Sequence, residues 1–232
     1  MTLPRVVVVT GTDTDVGKTV ATAALAAVLA GAGRRVAVHK PTQTGVRPGE
    51  PGDVAEVTRL SGVPGSEGVR LLAPMAPRPA AASEGATLPT RRDHLDAVRR
   101  LADEHDHVLV EGAGGLLVEL TEAGETLADL TCALPDAGVV LVVRAALGTL
   151  NHTMLTREAL AHRAIRQLGV VVGAWPDDPG PVETTNLEVF SGLPEGLLGV
   201  VPSGAPSLGP EAFRASASDW LPGLAARLRE NA

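Results

Sequence analysis

Short runs of apolar residues alternate along the chain with longer segments that have the pattern of helices. The first run, residues 5–10, contains four consecutive valines, which is typical of a strand buried on both faces of a parallel sheet. A glycine-containing loop follows, and an alanine-rich helix is predicted over residues 18–29, ending near two glycines. Further strands are predicted over residues 35–40, 108–111, 139–143, 170–172 and 197–201.

Helical patterns fill the intervals between these strands. We predict helices over residues 53–60, 91–104, 149–168 and 218–230, with Asp53 as the N-cap of the first and Gly169 closing the third. A stretch rich in Pro and Ala at residues 74–89 predicts a long ordered loop, and residues 112–115 predict a tight one. The alternation indicates an α/β fold with a mostly parallel central sheet and helices on both faces. Residues 1–232 are predicted to form a single domain.

Composition excludes several classes of function. The chain has 232 residues, 44% of them apolar, and a net charge of −7, with lysines and arginines scattered; this argues against nucleic-acid binding. The sole cysteine, Cys132, excludes an intramolecular disulfide and a multi-cysteine metal site, and we expect it to be a small buried residue. Neither a secretory leader pattern nor an apolar run of ~20 residues is evident, which predicts a cytoplasmic protein without a membrane span.

The strongest local signal is Gly-Thr-Asp-Thr-Asp-Val-Gly-Lys-Thr at residues 11–19, between the first strand and the first helix. Backbone N–H groups at such a helix start point at phosphates, and the helix dipole favours their charge. Gly17 allows close backbone approach, Lys18 supplies a mobile cation, and the Thr19 hydroxyl can bind Mg²⁺ held between phosphates. The first glycine, Gly11, stands one residue earlier than in the usual spacing. These features predict a P-loop NTPase-like fold with a variant loop.

More residues with a chemical signal follow two of the predicted strands. Glu111 ends a strand in the Walker-B pattern, and a carboxylate there can hold Mg²⁺ directly or through water. Gly112 and Gly114 beside it indicate close approach of the backbone to a ligand. Lys40 is predicted to close the second strand near the γ-phosphate. Taken alone, Glu111 and Lys40 are each also compatible with an ordinary solvated side chain.

Together these stretches resemble the dethiobiotin synthetases. The resemblance is carried by residues 11–19, by Lys-Pro-Thr-Gln-Thr-Gly at 40–45, by Val-Glu-Gly-Ala-Gly-Gly at 110–115 and by Leu-Gly-Thr-Leu-Asn-His at 147–152. It implies that one amine of 7,8-diaminopelargonic acid captures carbon dioxide as a carbamate. A carbamate oxygen then attacks the γ-phosphoryl group of ATP, and the second amine closes a ureido ring in biotin synthesis.

The same resemblance implies a role for each matching residue. Catalytic roles fall to Lys40, Lys18 and Thr14, and Thr44 lines the carbamate side. The implied ligands of Mg²⁺ are Thr19, Asp53 and Glu111. The implied nucleotide-binding residues are Asp15, Val16, Gly17, Lys18, Thr19, Val20, Asp53, Glu111, Gly112, Gly114 and Asp177.

The resemblance further implies a homodimer. In the family, the turn at a helix start that binds the substrate carboxylate comes from the neighbouring subunit. That turn corresponds here to Gly148, Thr149, Leu150 and Asn151. A helix N-terminus suits a carboxylate, and the alternative interpretation is that Thr149 simply caps the helix.

Three positions depart from the family pattern. Thr44 stands where Ser is frequent and Asp15 where Glu is common, so the hydroxyl and the acid are retained. Asp177 stands where many relatives carry an Asn that reads the adenine edge, and an ionised carboxylate only accepts hydrogen bonds. This departure predicts relaxed nucleotide choice, with other nucleoside triphosphates competing with ATP.

Other classes of function remain as alternatives. A partition-type ATPase, switching as a nucleotide-bound dimer, usually carries a second lysine near the start of the loop, where Asp13 stands here. A cobyrinic-acid amidase relative needs a glutaminase domain with a nucleophilic cysteine, for which the chain is too short. A nucleotide-binding regulator would hydrolyse nucleotide without needing a diamine.

Overall fold

The computed structural model describes residues 3–230. The strands are β1 (Val6–Gly11), β2 (Val36–Gln43), β3 (Gly65–Arg70), β4 (His107–Gly115), β5 (Gly138–Val143), β6 (Gln167–Trp175) and β7 (Leu197–Pro202). The helices are α1 (Lys18–Gly31), α2 (Asp53–Ser61), α3 (Pro77–Glu84), α4 (Arg91–Glu104), α5 (Leu127–Cys132), α6 (Thr149–His162), α7 (Pro181–Ser191), α8 (Pro210–Trp220) and α9 (Pro222–Arg229). None of these helices is long and apolar enough to cross a membrane.

The strands form one seven-stranded sheet in the order β3-β2-β4-β1-β5-β6-β7, and every recorded pairing is parallel. Successive side chains of a strand point to opposite faces, and the valines of β1 divide accordingly. Val7 and Val9 pack in the cluster that includes α1 and α8, whereas Val6 and Val8 pack in the cluster that includes α4 and α5. The predicted α/β class, with helices on both faces of the sheet, is confirmed.

Two strands run further than predicted. Lys40 does not end β2, which continues to Gln43, and residues 112–115 are not a tight loop but the last part of β4. Pro41 is tolerated inside β2 because pairing with β4 spans Val36 to His39 only, so the missing N–H removes no bond of that ladder.

Several predicted helix boundaries are wrong. The helix predicted over 149–168 ends at His162, and Gly169 lies within β6 and does not cap a helix. The predicted terminal helix is two helices, α8 and α9, because Pro222 lacks the N–H that would continue the first. Asp53 is the first residue of α2, and Gly52 is its N-cap.

Other elements were not predicted. The stretch predicted as a loop over 74–89 contains α3, which begins at Pro77 and ends before left-handed Gly85. Strand β3 has few apolar residues because it is a half-exposed edge strand, and α5 and α7 are short. Cys132 ends α5 and is exposed, so the expectation that it is buried is wrong.

Candidate active site

A cavity of about 740 Å³ opens at the carboxyl ends of β1, β2 and β4, where the loops after these strands meet. In open α/β sheets, ligands bind outside this edge. Most of the residues assigned a role from sequence line the cavity: Thr14, Asp15, Gly17, Lys18, Thr19, Val20, Lys40, Thr44, Asp53, Glu111 and Gly114.

The phosphate loop ends at Gly17, which is the N-cap of α1 in a left-handed conformation (φ 90°) and supplies no capping side chain. Lys18 folds back along the loop, and its Nζ donates to the Asp13 carbonyl oxygen at 2.7 Å. Burial, and then the charge of Lys40, lower the pKa of Lys18 to about 8. Lys18 is therefore a desolvated cation, and an anionic phosphate is the ligand that would stabilise its charge.

Lys40 lies between two carboxylates. Its Nζ is 2.8 Å from Glu111 Oε1 and 2.5 Å from Asp53 Oδ2, and it donates to the Gly112 carbonyl oxygen at 3.2 Å. Burial alone would lower the pKa of Lys40, but Glu111 and Asp53 outweigh burial and raise it. Lys40 is thus a fixed, fully charged ammonium group in the floor of the cavity.

The donor chemistry around Lys40 fits a Mg²⁺ site. The Thr19 hydroxyl donates to Glu111 Oε1 at 3.0 Å, and Glu111 Oε2 is buried without a hydrogen-bond partner. Asp53, Glu111 and Thr19 therefore present oxygen ligands to one point, as Mg²⁺ prefers. In residues 3–230, no group of three His, Cys, Asp or Glu side chains could hold a metal without such help from hydroxyl groups or water.

Other predicted site residues lie away from the cavity. Val16 is buried in the core, and Gly112 contributes through its carbonyl group to Lys40. Asp177 is exposed in the connection between β6 and α7. Residues 148–151 form the start of α6, outside the lining of the cavity.

The start of α6 is not capped by Thr149. The N-cap is Gly148, with φ 89° and no side-chain hydrogen bond, and the Thr149 hydroxyl is buried without a partner. The alternative interpretation of ordinary capping by Thr149 is therefore wrong. Backbone N–H groups in the first turn lack a side-chain acceptor, which is the condition for receiving an external carboxylate.

Sequence reasoning missed several residues of the cavity. Gln43 fixes the start of α2, because its Oε1 accepts the Asp53 N–H at 2.7 Å and so holds that carboxylate near Lys40. The Thr-Gln-Thr string after Lys40 was the available signal. The remaining apolar part of the lining carries no motif and comes from Pro74, Met75, Ala76, Pro77 and Val118.

Arg144, also missed, joins the end of β5 to the phosphate loop. Its Nη2 lies 2.9 Å from Asp13 Oδ2 and 3.4 Å from the Thr14 carbonyl oxygen, and Asp13 Oδ1 accepts the Thr14 N–H at 2.8 Å. The pair fixes the outer part of the loop. No local pattern marks this contact, since the partners are 131 residues apart.

We expect Arg144→Gln to raise the KM for ATP up to about fivefold, with kcat within about twofold, because a half-exposed ion pair is worth ~1 kcal/mol or less. Steady-state kinetics would measure this effect, and Asp13→Asn should match it. Arg35→Gln removes an exposed pair with Asp106 far along the sheet and is the control. Equal effects from Arg144→Gln and Arg35→Gln would contradict the positioning role.

Comparison with known proteins adds independent findings. A family model described as "AAA domain" matches residues 5–211. The chain is 52% identical over 218 residues to the ATP-dependent dethiobiotin synthetase BioD of Rhodococcus jostii, covering 93% of this chain and 94% of that protein. It is 51% identical to the protein of the same name from Mycobacterium avium, covering 95% and 99%.

Solved structures that resemble the chain are more distant. The MinC:MinD cell division protein complex of Aquifex aeolicus matches with a TM-score of 0.60 at 16% identity, over 98% of this chain and 96% of that one. The septum site-determining protein MinD of Pyrococcus horikoshii, complexed with Mg-ADP, gives a TM-score of 0.60 at 15% identity, again over 98% and 96%. At such identities the likeness establishes the P-loop fold alone.

Proposed function

The chain belongs to the ATP-dependent dethiobiotin synthetases, and we propose that the cavity between the phosphate loop, Lys40 and α3 is where its reaction takes place. The observation that carries this assignment is the buried Lys40 ammonium, held by Asp53 and Glu111 beside the phosphate-binding Lys18. The partition-type ATPase alternative is not supported by the relatives, whose printed names describe synthetases.

The first step joins one amine of 7,8-diaminopelargonic acid to carbon dioxide, with loss of a proton, to give a carbamate. In the proposal, Lys40, Thr14 and Thr44 bind this anion, since all three line the same wall of the cavity as the loop. The apolar side chains of Met75 and Val118 suit the alkyl chain of the diamine.

In the second step, a carbamate oxygen attacks the γ-phosphorus of ATP and ADP leaves. Lys18, the loop N–H groups and Lys40 offset the negative charge that accumulates on the phosphoryl oxygens. The second amine then attacks the carbonyl carbon of the mixed anhydride, the ring closes and phosphate departs. The proposal needs no protein nucleophile, because holding the two amines together supplies much of the rate.

A Mg²⁺ ion would be held by Thr19, Asp53 and Glu111, and would supply positive charge to the phosphates when bound. The free Oε2 of Glu111 supports this proposed role. In this arrangement, Lys40 and the metal share the two carboxylates, so Lys40 is released toward substrate when the carboxylates turn to the cation. We further propose a single domain spanning the chain and a cytoplasmic location.

The substrate carboxylate is proposed to bind the α6 start of a neighbouring subunit in a homodimer. Two features support this: the first turn has no side-chain cap, and apolar residues beside it are exposed. Leu147 is 85% exposed and Leu155 is 57% exposed, which is unusual for a surface that stays in water. Sedimentation of the purified protein at several concentrations would test the dimer.

The overall proposal is tested by mixing the protein with the diamine, bicarbonate, Mg²⁺ and ATP, and omitting one component at a time. Mass spectrometry should detect a gain of one carbonyl that requires bicarbonate and accompanies phosphate release. Phosphate release without the diamine, and no product with any nucleotide, would favour a nucleotide switch.

Asp177 is proposed to relax nucleotide choice. Because its exposed carboxylate only accepts hydrogen bonds, we expect CTP, GTP or UTP to support ring closure within about tenfold of ATP. Asp177→Asn should shift the ratio of kcat/KM values towards ATP, measured with a panel of four nucleotides. Asp178→Asn is the matched control one residue away, and activity confined to ATP in the unaltered protein would refute the idea.

A further inference from the structure

A second cavity lies on the opposite side of β2 from the active site. It has a volume of about 380 Å³ and is enclosed by β2, β3 and α4. His39 lines it, whereas the next residue, Lys40, lines the active-site cavity, because neighbouring residues of a strand face opposite ways. The two cavities share no lining residue.

Two imidazole rings in this cavity carry unused hydrogen-bonding atoms. His39 and His94 are 1% and 2% exposed, and the Nε2 atom of each is buried without a partner among residues 3–230. His39 Nδ1 lies 2.9 Å from Ser66 Oγ. Buried polar atoms are nearly always satisfied, so this cavity is built to receive a polar ligand or water.

The charges of the lining favour an anion. Arg100 lines the cavity and forms no hydrogen bond or ion pair within the described part of the chain. Both carboxylates of the lining are already engaged, since Glu67 is paired with Arg70 at 2.8 Å and Asp93 accepts from the Thr90 hydroxyl at 2.7 Å. Within residues 3–230, no group of three potential ligands suits a metal cation.

We propose that this second cavity binds a small oxyanion, with the Arg100 guanidinium as its ion-pairing group and His39 Nε2–H as a neutral donor. The Ser66 hydroxyl donates to His39 Nδ1, which leaves the ring proton on Nε2, facing the ligand. Burial, and then the neighbouring His94, lower the pKa of His39 to about 4, so the ring is neutral before the ligand arrives. An anion would raise that pKa again.

Three oxyanions share this chemistry: phosphate, bicarbonate and a carboxylate. The test uses full-length protein labelled with ¹⁵N in its histidines, with the His39 signals assigned from His39→Gln. Sodium phosphate, bicarbonate and acetate are titrated separately, and sodium chloride sets the ionic strength. We expect the Nε2-protonated tautomer of His39 and a saturating shift with at least one oxyanion, and the anion with the tightest saturation identifies the source.

Arg100→Gln should weaken that saturation about tenfold or more, since it removes the charged partner. Arg99→Gln is the matched control, because Arg99 is on the same helix and already pairs with Asp96 at 3.2 Å. Shifts that never saturate, shifts reproduced by chloride, equal loss in both variants, or an Nδ1-protonated ring would each overturn the proposal and leave a water-filled cavity. The active-site assignment does not depend on this result.

Discussion

Replacing Lys40 with methionine is expected to lower the rate of phosphoryl transfer about 10³-fold, because it removes a buried ammonium group from the point where negative charge develops. ATP affinity should change by less than about tenfold, since Lys18 and the loop N–H groups remain to hold the phosphates. Single-turnover phosphate release measures the first quantity, and equilibrium binding of a nucleotide measures the second.

The same substitution alters stability, and the two effects must be separated. Lys40 and Glu111 have side chains that are 5% and 1% exposed, so Lys40→Met leaves a buried carboxylate without its cation. Loss of one partner from a buried pair costs ~3–5 kcal/mol. Lys40→Met/Glu111→Gln replaces that carboxylate with a neutral amide and should recover most of the loss.

Denaturant unfolding of both variants, alongside the kinetics, distinguishes chemistry from folding. We expect the double variant to unfold near the stability of the unaltered protein and still to lack phosphoryl transfer. If the double variant regained the rate together with the stability, Lys40 would be a structural residue, and the proposed reaction site would need another cation.

The sequence predicted best where a residue's chemistry and its strand position are local. Four consecutive valines can only be a doubly buried strand, and Gly-Lys-Thr after them marks the phosphate loop, so Lys18 and Thr19 were placed correctly in the cavity. Glu111 followed from the same logic, since a carboxylate at the end of a parallel strand faces the ligand edge.

The remaining features depend on contacts between distant segments. The Arg144 contact with Asp13 joins β5 to the loop, and the position of Asp53 depends on a hydrogen bond from Gln43. Strand β3 has no apolar pattern to detect, because an edge strand needs pairing with β2 and little burial. Local patterns also overextended α6, whose end at His162 is followed by Ala164 in the left-handed region (φ 53°).

Gly173 shows the same limit at the phosphate loop. It lies within β6, and its backbone packs directly on Val16 and Gly17, so that a Cβ atom would overlap the Val16 carbonyl oxygen and lie 2.7 Å from Val142 Cγ1. The requirement for glycine at Gly17 has the same origin, since a Cβ there would overlap the Gly173 backbone. The loop is therefore seated on β6 by glycine-to-glycine contact.

We expect Gly173→Ala to weaken nucleotide binding about 10²-fold, because the added methyl group must displace the loop backbone, and misplacement by ~1 Å has that order of effect. Overpacking should also lower the free energy of unfolding by ~1–3 kcal/mol. Gly31→Ala, at a position where a Cβ meets nothing within 4 Å, is the control and should leave binding unchanged. Nucleotide affinity by calorimetry and stability by denaturant unfolding would be measured on both. Normal affinity in Gly173→Ala would mean that the loop adjusts without cost, and that its position is set by Arg144 and Lys18 instead of by β6.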